Sequence, residues 1–153
     1  MHERNLYLEL HLDEYLWGDI FLLSVDEFAT NTKESLLGLL DEQCNRKGLH
    51  SLGKKWNEID IITGKTLLRK ILQYDLAYPS AQIMPEAKVE FIHQALLAPF
   101  IDKLLYCYTN WIGTPWDIEK GASWNPLTSH TFDFSIILMN HQKLLFAYSI
   151  SED

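Results

Sequence analysis

A chain of 153 residues, 47% apolar and 12% aromatic, has the length of one ordinary domain and enough core-forming side chains to exclude a disordered protein. The net charge is −8, and if the acids concentrated in residues 1–42 share a surface they repel phosphate backbones there, so no nucleic-acid partner is expected. No apolar run approaches the ~20 residues that span a bilayer, and Met1-His2-Glu3-Arg4 lacks the basic and apolar regions of a signal peptide, so a cytoplasmic protein with no membrane partner is expected.

In chain order, Leu6, Leu8, Leu10 and Leu12 alternate with Tyr7, Glu9, His11 and Asp13, the period-two pattern of a strand with one buried face. Residues 14–28 fit two readings. Trp17-Gly18-Asp19 can turn the chain into a second strand at Ile20–Val25, or Leu12, Leu16, Ile20 and Leu23 can form a helical stripe; the hairpin is preferred. Asn31 and Glu34 resemble a capping box, Leu36, Leu37, Leu40 and Cys44 keep one helical face, and Gly48 supplies a left-handed stop, which predicts a helix over 32–47. A second helix is predicted over 64–77, capped by Thr63, carrying Leu67, Leu68, Ile71, Leu72 and Leu76.

Pro85 suits a first helical turn, and the stripe Val89, Ile92, Leu96, Phe100, Leu104, Tyr108 and Trp111 predicts a long helix over 85–112, kinked at Pro99. Phe132, Phe134, Ile136 and Leu138 alternate, as do Leu144, Phe146, Tyr148 and Ile150, which predicts a closing hairpin over 131–150. If both sets share one sheet face, parity demands an odd loop, Asn140–Gln142, pairing Leu138 with Leu144 and Ile136 with Phe146. The expected fold is a single α+β domain over 1–153: an antiparallel sheet, made of an N-terminal strand or hairpin and the C-terminal hairpin, packed against about three helices.

No spacing of residues matches a catalytic, cofactor or metal signature, so no enzyme activity, cofactor or metal is expected. Gly64-Lys65-Thr66 imitates the end of a phosphate-binding loop, but Ile59 stands where that signature needs glycine. Glu9, His11 and Asp13 would share one face of the first strand, either as a solvated face or as an imidazole between two carboxylates. Cys44 and Cys107 read as reduced core thiols; a Cys107 nucleophile with His93, His130 or His141 finds no supporting signature, and His93 reads as a helix residue and His141 as a turn residue.

The charge is lopsided. Residues 1–42 hold ten acids (Glu3, Glu9, Asp13, Glu14, Asp19, Asp26, Glu27, Glu34, Asp41 and Glu42) against Arg4 and Lys33, while Arg46, Lys47, Lys54, Lys55, Lys65, Arg69 and Lys70 form a basic stretch. If the acids share a surface, a basic partner is steered to it; otherwise they serve solubility. Trp116 and Trp124, on a loop after Trp111 rich in turn residues, serve either as interface anchors or as a cap on the core.

The acids from Glu9 to Glu42, the α+β pattern and the closing hairpin Thr131–Ile150 give the chain a general resemblance to bacterial immunity proteins, small cytosolic antidotes that occlude a cognate toxin domain. The resemblance implies a protein-binding inhibitor whose acids block a basic, nuclease-type toxin. The expected partner-binding residues are Glu9, Asp13, Glu14, Asp19, Asp26, Glu27, Glu34, Asp41, Glu42, Trp116 and Trp124. The alternatives are a small ligand-pocket protein or hydrolase, and an oligomerising scaffold subunit.

Overall fold

Six strands pair antiparallel in the order β1-β2-β8-β7-β4-β3, where β1 is His2–Asn5, β2 Gly18–Ser24, β3 Asn57–Ile59, β4 Tyr106–Thr109, β7 Phe132–Met139 and β8 Lys143–Ser151. A two-stranded ribbon, β5 (Trp111–Ile112) and β6 (Ser123–Trp124), lies outside that sheet. The helices are α1 (Leu6–Glu9), α2 (Lys33–Arg46), α3 (Ile61–Gln73) and α4 (Glu86–Leu97). The computed structural model describes residues 2–24, 32–100, 103, 106–116 and 121–151. The fold is α+β, and no helix among the described residues is long and apolar enough to cross a membrane.

Both faces of the sheet are covered. Phe134, Ile136, Leu138, Leu145, Ala147, Ile20 and Leu22 pack with α3, α4 and Leu6, Leu12 and Leu16. On the opposite face Ile137, Met139, Leu144, Phe146, Phe21 and Leu23 pack with α2, Leu49, Leu52, Trp56 and Leu127. A sheet between two helical layers needs apolar residues at consecutive positions of its central strands, and Ile136-Ile137-Leu138-Met139 and Leu144-Leu145-Phe146-Ala147 are such runs.

This double cover corrects the expected register of the closing hairpin. Leu138 pairs with Leu145, Ile137 with Phe146 and Met139 with Leu144. The turn is closed by the Asn140 N–H donating to the Lys143 carbonyl at 3.0 Å, with His141 and Gln142 at its tip. Parity required an odd loop only if one face were buried. With a core on each side, the two alternating sets sit on opposite faces and the shorter turn is free to form.

The leucine alternation at 6–12 is likewise not a strand. Asn5 Oδ1 accepts the Leu8 N–H at 3.2 Å and caps α1, and His11 adopts φ 55° to turn the chain back. Leu6, Leu12 and Leu16 are buried while Leu8 stays 65% exposed. The preferred strand near Ile20–Val25 is β2, Gly18–Ser24; Val25 lies outside the described residues.

The helix expected over 32–47 is α2, ended by Gly48 at φ 72°. Its cap is Thr32, whose Oγ1 accepts the Ser35 N–H at 3.1 Å; Asn31 lies outside the described residues. The helix expected over 64–77 spans Ile61–Gln73 because Asp60, not Thr63, caps it: Asp60 Oδ1 accepts the Thr63 N–H at 2.8 Å.

The expected long helix over 85–112 is the largest correction. Pro85, expected in the first helical turn, stands one residue earlier at the N-cap of α4, and α4 ends at Leu97. Ala98–Phe100, with Pro99 inside it, tightens into a 3-10 turn, and residues 106–109 form β4. Pro99 has no N–H to continue the helix. Tyr106-Cys107-Tyr108-Thr109 suits a central strand whose two faces are both covered, and a run without charged residues to mark its period mimics a helical stripe. Residues 101, 102, 104 and 105 lie outside the described set.

Candidate functional site

The acids of the first 42 residues are divided among different tasks. Glu9 pairs with Arg4, which holds its carboxyl below the usual range. Lys47, at the end of α2, reaches both Glu3 and Asp19 and lies 4.5 Å from the centre of the Phe21 ring, tying β1 and β2 to α2. Glu42 pairs with Arg46 one helical turn on. Asp41 accepts the N–H groups of Leu52 and Gly53 and, at 3.3 Å, the Trp56 indole N–H, fastening the segment that covers the Phe146 side of the sheet. Glu34 is exposed in the first turn of α2; Asp26 and Glu27 lie outside the described residues.

Asp13 and Glu14 remain. Both are exposed and unpaired among the described residues, on the turn that leads into Tyr15, Leu16 and Trp17. This turn is anchored from beneath: the Tyr7 hydroxyl donates to the Leu16 carbonyl at 2.6 Å, and Leu12 and Leu16 are fully buried. Burial, with the nearby charges of Asp13 and Asp19, pushes the Tyr7 phenol up. The Ile150 N–H donates to the Trp17 carbonyl at 2.6 Å and extends the β2-β8 pairing by one residue. The Trp17 backbone is therefore held at the sheet end while its indole is 74% exposed.

A cleft of about 340 Å³ opens beside that indole, with Tyr15, Trp17, Asp75, Leu76, Ile83 and Ile150 among its walls. The far wall is the turn after α3, closed by a Tyr74–Gln82 bridge and by the Asp75 N–H donating to Ala81 at 3.0 Å. Asp75 Oδ1 accepts the N–H groups of Ala77 and Tyr78 at 2.8 and 2.9 Å, which fixes the carboxylate. From α4, Lys88 places its ammonium 4.6 Å from the centre of the Tyr15 ring. Asp75 and Ile83 carry no motif, and reach the cleft only because α3 packs over the sheet. Trp17-Gly18-Asp19 was visible only as a turn.

The tryptophans after β4 serve the core. Trp111 stacks on Trp124 with centroids 4.6 Å apart, and Trp116 meets Phe134 edge-on at 5.0 Å. The Trp111 indole donates to the Asp133 carbonyl at 2.7 Å. Trp116 and Trp124 are partly buried against the α3/α4 side of the core.

The chemical alternatives lose their geometry. Glu9, His11 and Asp13 do not share a strand face, because Glu9 ends α1 and His11 turns beyond it. Among the described residues no group of three or more His, Cys, Asp or Glu is placed to hold a metal ion. Cys107 lies in β4 rather than in a helix, and burial, aided by Asp60, pushes its thiol up to about 12. Cys44 is pushed up to about 12 by burial and Asp41. Thiols held in that range are poor nucleophiles at neutral pH. His93 Nε2 donates to the Lys65 carbonyl at 2.8 Å, joining α4 to α3. Gly64 lies inside α3, where a side chain would stand 2.7 Å from Cys107 Sγ; the glycine permits close helix-to-sheet approach and cradles no phosphate.

No protein-family model matches the chain, and neither a curated protein nor a solved structure matches it.

Proposed function

We propose that this chain is a protein-binding inhibitor of the bacterial immunity type, meeting a basic toxin domain through the Asp13–Trp17 turn and the cleft beside it. The observation that carries the reading is the Trp17 indole, 74% exposed on a backbone held by the β2-β8 pairing, on the turn that also carries Asp13 and Glu14, exposed and unpaired among the described residues. An exposed aromatic on a rigid support is the usual anchor of an interface, and flanking charge of one sign selects partners of the other. Asp13 and Glu14 take the place of the wider acidic set, because Glu3, Glu9, Asp19, Asp41 and Glu42 already have partners within the chain.

The test is affinity capture by the full chain from its native cell, followed by kinetics on the purified partner. The reading requires a partner with a basic surface and an association rate that falls steeply as salt rises. Asp13→Lys combined with Glu14→Lys should slow association about tenfold or more while leaving the thermal midpoint unchanged. A neutral or acidic partner, or a rate indifferent to ionic strength, overturns it.

A further inference from the structure

We infer that the cleft beside Trp17 receives an arginine side chain of the protein partner. This rests on the binding reading above and specifies what enters the site. A volume of about 340 Å³ lies at the small end of the ~300–1,000 Å³ typical of ligand pockets, a size suited to one side chain rather than to a helix or an extended strand. The walls offer three chemistries in one place.

The first is a fixed carboxylate. Asp75 Oδ1 is held by two backbone N–H groups, and Oδ2 has no hydrogen-bond partner among the described residues, so it can accept a charge-assisted hydrogen bond from a side chain entering the cleft. The second is aromatic. Trp17 presents a largely exposed indole, the best ring for holding a cation over its face, and Tyr15 already has the Lys88 ammonium over its ring. The third is apolar: Leu76, Ile83 and Ile150 offer surface on which the methylene stem of a long basic residue can lie.

A planar guanidinium satisfies all three, since it stacks on the indole while donating to the carboxylate. A lysine ammonium is compact, strongly hydrated and unable to stack. An anionic ligand would meet Asp75, with Asp13 and Glu14 on the turn beside it. Lys88 on α4 is the opposing charge, and its ammonium is occupied with Tyr15.

The experiment is a titration of the ¹⁵N-labelled full chain with a blocked Gly-Arg-Gly peptide, alongside the same peptide carrying citrulline, lysine or glutamate in place of arginine. The arginine peptide should shift the Trp17 indole resonance and the amides of Ala77, Tyr78 and Ile150 saturably. Citrulline should bind about tenfold more weakly, and Asp75→Asn, which keeps an oxygen for the two amides, should weaken arginine binding to a similar extent with the spectrum otherwise unchanged. Lys88→Gln should tighten it. No shift, shifts confined to other surfaces, or equal binding of the citrulline or lysine peptide overturns the assignment. If the peptide leaves the cleft unmoved while a basic partner is still captured, this inference falls and the inhibitor reading stands. If the peptide binds in an Asp75-dependent way and no basic partner is captured, the inhibitor reading falls instead.

Discussion

Asn110 donates from Nδ2 to Asp133 Oδ1 at 2.8 Å in the fully enclosed space between the end of β4 and the start of β7. Around this pair, Asp133 also accepts the N–H groups of Leu127 and Thr128 and the Thr128 hydroxyl, while Asn110 Oδ1 accepts from Ser135. Leu127, placed by these bonds, is itself fully buried against the α2 side of the core. A charge removed from water is tolerated here because four protein donors replace its hydration. Asp133→Ala should therefore cost about 3 kcal/mol or more, since it leaves several buried donors unpaired at once. Urea denaturation measures this, and a loss below about 1 kcal/mol would show that water readily replaces the carboxylate.

Gln43 is the converse case. It lies between Leu40 and Cys44 on the buried face of α2, wholly enclosed, with neither its amide oxygen nor its nitrogen hydrogen-bonded among the described residues. Gln43→Met keeps the shape and helix propensity of the side chain and removes the unpaired amide. The variant should gain about 1–2 kcal/mol, read as a higher urea midpoint at unchanged slope. A lower midpoint would refute this account of the residue.

Trp17 and Trp111 should separate cleanly in stability. Trp111, 3% exposed and stacked on Trp124, should cost about 3–5 kcal/mol when replaced by alanine. Trp17→Ala removes a side chain that is mostly in water and should change stability by no more than about 0.5 kcal/mol. Thermal unfolding of the two variants checks the contrast. A large loss for Trp17→Ala would mean the indole serves the fold, which would remove the basis for its role in binding.

The buried thiols predict alkaline sensitivity. Cys44 and Cys107 are each pushed from 9.0 up to about 12 in the folded chain. Above the unfolded value the unfolded state releases the thiol proton while the folded state keeps it, so unfolding is favoured increasingly as pH rises. Stability should be constant from these groups below about pH 9 and decline between there and about pH 12. Tyr108, raised from 10.0 to about 12 by burial and Glu58, adds to the decline in the upper part of that window. Urea midpoints at pH 7, 9 and 10.5 for the natural chain and for Cys44→Ala check the sign, the variant showing the shallower fall. Below denaturing urea, both thiols should also resist a disulfide reagent at pH 8.

Local chemistry accounts for the elements that are legible in the sequence. Lys33–Arg46 was readable because an apolar face and a stop at Gly48 lie within one short stretch, although its cap is the Thr32 hydroxyl and not the Asn31 that the sequence suggested. The strands at 132–139 and 143–151 were readable as alternating runs around Asn140. At 6–13 the same period-two logic misled, because leucines two apart also occur where a short helix and a tight turn send Leu6 and Leu12 inward by different routes. At 106–109 a doubly covered strand imitated a helical stripe, since a central strand with both faces covered has few polar positions to reveal its period. The acidic residues were countable, but whether each would pair with Arg4, Lys47 or Arg46 depended on how β1, β2 and α2 meet.

By itself the sequence determined which segments can stop, cap or alternate, because those properties reside in neighbouring residues: Pro85, Gly48, Pro99 and the two apolar runs of the closing hairpin. Tertiary structure alone decided the hairpin register and the composition of the Trp17 cleft. Register depends on how many faces of the sheet are covered, and the cleft joins Tyr15, Asp75 and Ile150, residues far apart in the chain that meet only once α3 has packed against the sheet.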